Sequence, residues 1–321
     1  MRFTVSALAT PVEIELSGFS DTDATIIRDA WARARTDETA TVSVRIQPPA
    51  IGELTQRVAA AAAPTGLVLK AGAVATDDGG VVALIGSGVT TAITALGPQF
   101  GYVSDELIAL DSLAVTGFAA PLAVATPGST RKRAAGPDTL GLAVAPSGLE
   151  LRRIVLLDRR ADAPAEPAVT PIGFAEAVEH LVPLAAGLET LEDALGVLVA
   201  ASGGISRISY REASQLAAVL PTEAVEPETW RQVPPAPGEG GMRRAPFDDA
   251  ITDGRRVVVL RAGTVRVIDG IGSLVWLASV GGTIEEITDI VAARFGVPPT
   301  GTPRSHVDDV VLQLRAAGVL L

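Results

Sequence analysis

The feature that most constrains the fold is the order of turn and periodicity signals in the last eighty residues. β-Branched and aliphatic residues dominate Arg256–Arg261 and Thr264–Ile268, and the dipeptide Ala262-Gly263 separates these two runs. Because glycine reaches positive φ at little cost, the pattern predicts two antiparallel strands joined by a two-residue turn. A shorter run, Phe247–Ile251, predicts one further strand before them.

Three amphipathic helices are predicted after these strands. Asp269 is the expected N-cap of the first, Thr283 and Glu286 form a capping box for the second, and Thr302-Pro303 opens the third. The positions expected to face the core are, helix by helix, Ile271, Leu274, Val275 and Ala278, then Ile284, Ile287, Val291 and Phe295, then Val307, Val310, Val311 and Leu314. Trp276 lies on the first helix and is expected to be buried. A three-stranded meander followed by three helices is a winged-helix arrangement.

The part of the chain before this module has an α/β pattern. Strands are expected at Ile14–Leu16, Thr41–Ile46, Leu67–Thr76, Val81–Ile85, Gly101–Leu110 and Leu149–Leu157, and helices at Ile51–Ala63, Thr90–Leu96 and Phe174–Ala185. Prolines and glycines are concentrated in 221–241, a composition typical of a linker. We therefore predict a body at 1–220, a linker at 221–241 and a C-terminal module at 242–321.

Composition excludes several classes of function. The chain has no cysteine, which excludes disulfides and Cys-based zinc sites, and its two histidines have no ligand spacing around them. We therefore expect no metal and no cofactor. Residues 251–321 hold seven basic and seven acidic side chains, so the net charge of −11 lies in the rest of the chain and argues against nucleic acid as a partner. With no signal peptide and no apolar run of membrane length, we expect a cytoplasmic protein that does not contact membranes.

The last eighty residues resemble the PqqD family, the stand-alone form of the RiPP recognition element. The segments that carry the resemblance are Met242-Arg-Arg-Ala-Pro246, Arg256–Trp276, Gly282-Thr-Ile-Glu-Glu-Ile287 and Leu314–Leu321. The resemblance implies that a leader peptide adds beside Thr264–Ile268 and lies against the helix at Pro303–Ala317. The peptide-binding residues implied in this way are Val265, Arg266, Val267, His306, Asp309, Val310, Gln313 and Leu314, and core packing is the alternative for the valines and Leu314. Arg243 and Arg244 are expected either to contact an acidic leader or to be a solvated linker end.

Two segments of the body, Val82–Leu96 and Phe100–Leu110, resemble the HPr kinase/PEP-carboxykinase-like fold. There, a P-loop precedes a helix and a Gly-Tyr-x-Ser-Asp strand supplies an acidic metal site. A working P-loop reads G-x-x-x-x-G-K-[ST], and its lysine neutralises phosphate oxygens. The corresponding turn here is too short and has no lysine, which predicts a pseudo-kinase without catalytic residues. The vestigial nucleotide site would comprise Lys70, Gly86, Ser87, Gly88, Thr90, Thr91, Asp105 and Glu106, and Lys70 replacing the missing charge is the alternative.

Together the two resemblances imply a non-catalytic adaptor that binds the leader of a ribosomally synthesised precursor and presents it to a tailoring enzyme. The pairing of domains is similar to the recognition protein of daptide-type clusters, which implies an NAD-dependent, alcohol-dehydrogenase-like oxidative decarboxylase as that enzyme. Two other functions remain as alternatives. One is a peptide kinase of the lasso-peptide-kinase type, and the other is a winged-helix DNA-binding protein.

Overall fold

The computed structural model describes residues 1–62, 66–125, 132–202, 205–235, 240–296 and 299–321. It divides into two compact units. Unit 1 comprises Met1–Phe174, Leu184–Leu188 and Ala200–Pro227, and unit 2 comprises Ala175–Pro183, Glu189–Val199 and Glu228–Leu321. Unit 2 therefore includes two segments from within the predicted body and part of the predicted linker, of which residues 236–239 lie outside the described residues.

Unit 1 begins with a three-stranded sheet in the order β1 (Arg2–Ala7), β2 (Thr10–Leu16) and β3 (Val42–Ile46). Helix α1 (Asp21–Ala30) starts at Ser20, whose side chain accepts a hydrogen bond from the Asp23 N–H. Helix α2 (Leu54–Ala62) follows a 3₁₀ turn, so the helix predicted at Ile51–Ala63 is regular only from Leu54, and residue 63 lies outside the described residues. The apolar faces of this sheet and of α2 form one core.

The larger sheet of unit 1 contains eleven strands. They are β4 (Leu67–Leu69), β5 (Gly72–Ala75), β6 (Gly80–Gly86), β7 (Gly101–Ser104), β8 (Ile108–Asp111), β9 (Ala114–Thr116), β12 (Ala143–Val144), β13 (Glu150–Arg159), β14 (Ala168–Ile172), β15 (Ala185–Ala186) and β16 (Ile205–Tyr210), while β10 (Leu122–Ala125) and β11 (Lys132–Ala135) form a separate hairpin. The centre of the sheet is parallel, because β13 pairs in parallel with both β6 and β16. Helix α3 (Val89–Leu96) follows β6 and buries Ala92, Ile93 and Leu96.

Three predicted elements of the body differ from the structure. The strand predicted at Gly101–Leu110 is two strands, because the Ser104 hydroxyl accepts from the N–H groups of Glu106 and Leu107 and turns the chain between β7 and β8. The strand predicted at Leu67–Thr76 is also two strands, of which β4 pairs with β8 and β5 pairs with β6. The helix predicted at Phe174–Ala185, α4 (Phe174–Leu181), ends earlier because a 3₁₀ turn leads into β15.

Unit 2 contains a four-stranded antiparallel sheet in the order β17 (Arg231–Gln232), β18 (Asp249–Thr252), β19 (Val257–Arg261) and β20 (Thr264–Ile268). Three helices follow it: α6 (Gly270–Ala278), α7 (Ile284–Phe295) and α8 (Pro303–Ala316). Most of α4 and of α5 (Ala194–Ser202) also belongs to unit 2. The predicted strands and the three predicted helices are confirmed, whereas β17 was not predicted.

The core of unit 2 lies between one face of its sheet and the three C-terminal helices. Trp276 is fully buried there as predicted, and its ring N–H donates to the Val319 carbonyl at 3.0 Å. The capping boxes at Thr283 and Thr302 are confirmed. Phe295, predicted to be buried, is 53% exposed, because it is the last residue of α7 and lies one turn beyond the last buried position, Val291. No helix within the described ranges is both long and apolar enough to cross a membrane.

Candidate peptide-binding site

Strand β20 lies at an edge of the unit 2 sheet, and within the described ranges it pairs with β19 alone. The turn between them has positive φ at both residues, 47° at Ala262 and 72° at Gly263. In a two-residue turn of this kind the flanking pair, Arg261 and Thr264, exchanges hydrogen bonds, and such pairs then recur at every second residue. Arg266 therefore bonds to β19, whereas Val265 and Val267 direct their N–H and C=O groups outward, where an added strand would meet them.

The two faces of β20 differ. Arg266 is opposite Val259, on the face that forms the core with α6, α7 and α8. Val265 and Val267 are on the other face, opposite Leu260 and Val258. Leu260 and Val258 are buried, but Val265 is half-buried and Val267 is 36% exposed. The edge therefore leaves a short apolar stripe partly uncovered.

The same face is covered further into the sheet by the start of α5. The Leu195 N–H donates to the carboxylate of Asp249 on β18 at 2.7 Å, and the Gln232 side chain donates to its other oxygen. Burial raises the pKa of Asp249, and these two hydrogen bonds oppose the effect. Unit 2 thus has the C-terminal helices on one face of its sheet and the start of α5 on the other, and β20 is the longer of the two edge strands of the described sheet.

The predicted binding residues of α8 do not share one face of the helix. Leu314 faces the core together with Val307 and Val311, and it is only 8% exposed. A second side of α8 faces α7, because Arg304 bonds to Glu285 of α7 at 2.6 Å as well as to Asp308 at 3.0 Å.

The side of α8 turned away from α7 carries His306, Val310 and Gln313, three of the predicted binding residues, while Asp309 is on the outer surface. Val310 is half-buried, Gln313 is exposed, and His306 forms a hydrogen bond with the Thr300 carbonyl at 2.8 Å.

The hairpin and α8 are joined at one end. The Arg261 guanidinium donates to the Gly318 carbonyl, which follows α8. At the other end of β20, Ile268 is in the same core as Val307 and Val311. The β19–β20 hairpin is thus held beside the end of α8, and β20 and α8 both contribute side chains to one core.

Arg244 is neither a leader contact nor a solvated linker end. It is buried, and its guanidinium donates to the carbonyls of Trp276 at 2.9 Å, Leu277 at 2.6 Å and Pro234 at 3.0 Å. It also lies 4.4 Å from the centroid of the Trp276 ring. The last carbonyls of a helix lack partners within the helix, so Arg244 satisfies the end of α6. No sequence pattern identified this role, because the partners are backbone groups.

The vestigial nucleotide site in unit 1 is a tight turn. Only Ser87 separates two glycines of positive φ, Gly86 at 97° and Gly88 at 78°, and α3 starts at the next residue. The Ser87 N–H donates to the Leu157 carbonyl at 3.2 Å, which holds the turn against β13. A Cβ atom at Gly86 would lie 2.5 Å from that carbonyl oxygen, so glycine is required here.

Beside this turn, the Thr90 hydroxyl donates to the Asp105 carboxylate at 3.1 Å. Burial raises the pKa of Asp105 to about 6, Glu106 adds to the effect, and the Thr90 hydrogen bond and Lys132 oppose it. The second Asp105 oxygen has no hydrogen-bond partner in the described part of the chain.

The other predicted members of this site do not converge on Asp105. Thr91, Ser87 and Lys70 are exposed, and among the described residues no ion pair or side-chain hydrogen bond joins Lys70 to Asp105 or Glu106. Nor do the described residues contain a group of three His, Asp or Glu side chains that could hold a metal ion. The structure thus brings together Thr90 and Asp105 from the predicted set and leaves Lys70 apart.

Comparison with known proteins supports the C-terminal assignment. Residues 256–320 match the model of the PqqD family, described as coenzyme PQQ synthesis protein D, and this confirms a PqqD segment within the module predicted at 242–321. No curated protein matches the chain by sequence. Among solved structures, the Hpr(Ser) kinase/phosphatase from Coxiella burnetii is similar, with 11% identity and a TM-score of 0.27 over 48% of this chain and 90% of that chain. At this level of similarity the match carries no information about catalysis here.

Proposed function

We propose that this protein is a non-catalytic adaptor that binds the leader of a ribosomally synthesised precursor peptide and presents it to a tailoring enzyme. PqqD domains are recognition elements for such precursors, and residues 256–320 match that family. The observation that carries the proposal is the open edge of β20 inside the matched segment. An extended peptide that adds to such an edge gains main-chain hydrogen bonds, and side-chain contacts provide selectivity.

The leader would bond to the outward backbone groups of Val265 and Val267. Its side chains on the helix side would then reach the flank of α8 that carries His306, Val310 and Gln313. Leu314 contributes from inside the core, where it fixes the position of α8, so a polar substitution at Leu314 would test folding before it tests binding.

DNA binding is the weaker alternative for this module. A recognition helix needs free cations for phosphate contacts, but Arg304 of α8 is ion-paired with Glu285 and Asp308. The neutral charge of 251–321 and the acidic remainder of the chain favour a peptide over DNA in the same way.

Two proline substitutions on adjacent residues test the edge. Val265→Pro removes an outward N–H and should abolish leader binding in a protein that remains folded. Arg266→Pro removes an N–H that pairs with Val259, so it should disrupt the hairpin itself. Binding is measured by fluorescence anisotropy with a labelled synthetic leader of a short precursor frame, sought among the neighbouring genes, and folding by circular dichroism. The proposal fails if Val265→Pro is folded and binds the leader like the unmodified protein.

For the body we propose a docking role. Its net acidic charge and the lysine-free turn at Gly86–Thr91 support a scaffold rather than a kinase. The partner we propose, from the similarity to daptide-type clusters, is an NAD-dependent, alcohol-dehydrogenase-like oxidative decarboxylase. The full chain should co-purify with this enzyme, whereas a fragment of 228–321 should bind leader and retain the enzyme poorly. Equal retention by the fragment would contradict a docking role for the body.

A further inference from the structure

The chemistry of the peptide can be read from the residues that would lie beside it, an argument that rests on the function proposed above. A strand added to β20 places three consecutive residues opposite Val265, Arg266 and Val267. Because successive side chains of a strand point to opposite faces, the outer two share the face of the valines and the middle one shares the face of Arg266.

Val265 and Val267 favour apolar residues of the peptide opposite them. Along the same face, Leu260 is 3% exposed and Val258 is fully buried, but Val267 is 36% exposed and Val265 is half-buried. The apolar surface therefore continues past β19 and ends uncovered at the edge of the sheet. Peptide residues opposite the valines complete this surface only if they are apolar.

Arg266 would attract an acidic residue of the bound peptide. It is exposed on β20, and in the described part of the chain its side chain has neither an ion pair nor a hydrogen bond. Neighbouring arginines differ: Arg256 is paired with Asp253 at 2.8 Å, and Arg261 donates to the Gly318 carbonyl. Arg266 is thus a cation in the middle of the β20 edge that pairs with no other described residue.

We infer that the bound segment of the leader has the pattern apolar–acidic–apolar, and that Arg266 selects the acidic residue. The acidic side chain would lie directly across from Arg266, on the face that continues toward α8. Neither acidic residue of α8 lies on the flank that would face it, because Asp308 is paired with Arg304 on the α7 side and Asp309 is on the outer surface of the helix. The two apolar residues would extend the stripe of Val265 and Val267.

The test is a selection from a displayed library of random peptides on the full-length protein, with Val265→Pro as a counter-selection that removes peptides bound elsewhere. Peptides specific to the edge should be enriched in an Asp or Glu between two apolar residues. Selection on Arg266→Glu should replace the acidic residue with Lys or Arg. Arg255→Glu is the matched control, because Arg255 is an exposed arginine in the turn before β19, and this variant should select the same peptides as the unmodified protein.

The selected peptides are then measured individually. An exposed cross-strand ion pair is worth roughly 0.2–1 kcal/mol, so Arg266→Gln should weaken an acidic peptide about 2–5-fold and Arg266→Glu on the order of tenfold. A Lys-containing version should bind Arg266→Glu more tightly than it binds the unmodified protein. Edge-specific peptides without the acidic residue, or unchanged selection by Arg266→Glu, would overturn this inference while leaving the edge as the site. Recovery of no edge-specific peptide at all would instead overturn the proposed function.

Discussion

The buried carboxyl of Asp105 should make the stability of unit 1 depend on pH. Burial raises its pKa from 3.8 to about 6, so the folded protein holds a proton on this group more tightly than the unfolded chain does. Ionising the carboxyl in the folded state therefore costs free energy, and the cost increases as the pH rises from about 4 to about 6. A shift of this size corresponds to about 3 kcal/mol at neutral pH.

Asp105→Asn removes this cost because asparagine does not ionise. Its carbonyl can still accept from Thr90, while its NH₂ group would replace an oxygen that has no partner in the described ranges and would carry a penalty independent of pH. That penalty cancels when each protein is compared with itself at two values of pH. Between pH 4 and pH 8 the parent should lose about 2–3 kcal/mol relative to the variant.

Scanning calorimetry measures this difference as a change in the melting temperature of unit 1. For a unit of this size about 1 kcal/mol corresponds to roughly 2–4 °C, so the gap between variant and parent should widen by about 5–10 °C from pH 4 to pH 8. Asp111→Asn changes an exposed residue at the end of β8 and is the matched control. The difference in melting temperature between this variant and the parent should be the same at pH 4 and pH 8. Parallel curves for Asp105→Asn would refute the reasoning, because they would mean that Asp105 ionises as freely in the folded protein as in the unfolded chain.

Three other predictions concern Arg244, strand β17 and the lysine-free turn. Arg244→Met removes a charged donor from three carbonyls, of which only that of Trp276 keeps another donor among the described residues, the Ser279 N–H, and it should destabilise unit 2 by about 3–5 kcal/mol in urea unfolding, whereas Arg243→Met should have a much smaller effect. A fragment starting at residue 228 should be more stable than one starting at 242 by about 1–3 kcal/mol, because it retains β17 and the buried Val233; equal stability would remove β17 from the folding unit. Calorimetric titration with ATP and Mg²⁺ should show no heat of binding, and micromolar binding with phosphate transfer to a peptide would contradict the pseudo-kinase proposal.

The sequence predicted the C-terminal module well because its signals are local. The Ala262-Gly263 turn and the capping boxes at Thr283 and Thr302 involve residues within a few positions of one another, and each is present in the structure. The errors involve contacts that pattern does not encode. A hydroxyl at Ser104 divides a β-rich run, and Arg244 bonds to carbonyls more than thirty residues away in sequence.

The predicted linker shows the same limit of sequence reasoning. Its proline-rich composition indicated a spacer, yet Arg231 and Gln232 form a strand with β18, and the buried Val233 donates its N–H to the Ala250 carbonyl at 2.8 Å. Two residues are too few for periodicity to identify a strand.

The position of β17 has a consequence for recognition. A sheet that ended at β18 would present two open edges, and an extended peptide could add to either. Here β17 occupies the β18 side, and the Gln232 side chain also donates to the Asp249 carboxylate, which fixes the short strand in register. Strand β17 is then the edge on that side, but it has only two residues, whereas β20 has five. The segment that leads into the module thus leaves a very short edge on one side of its sheet and favours strand addition at the other, where Arg266 and the two valines lie.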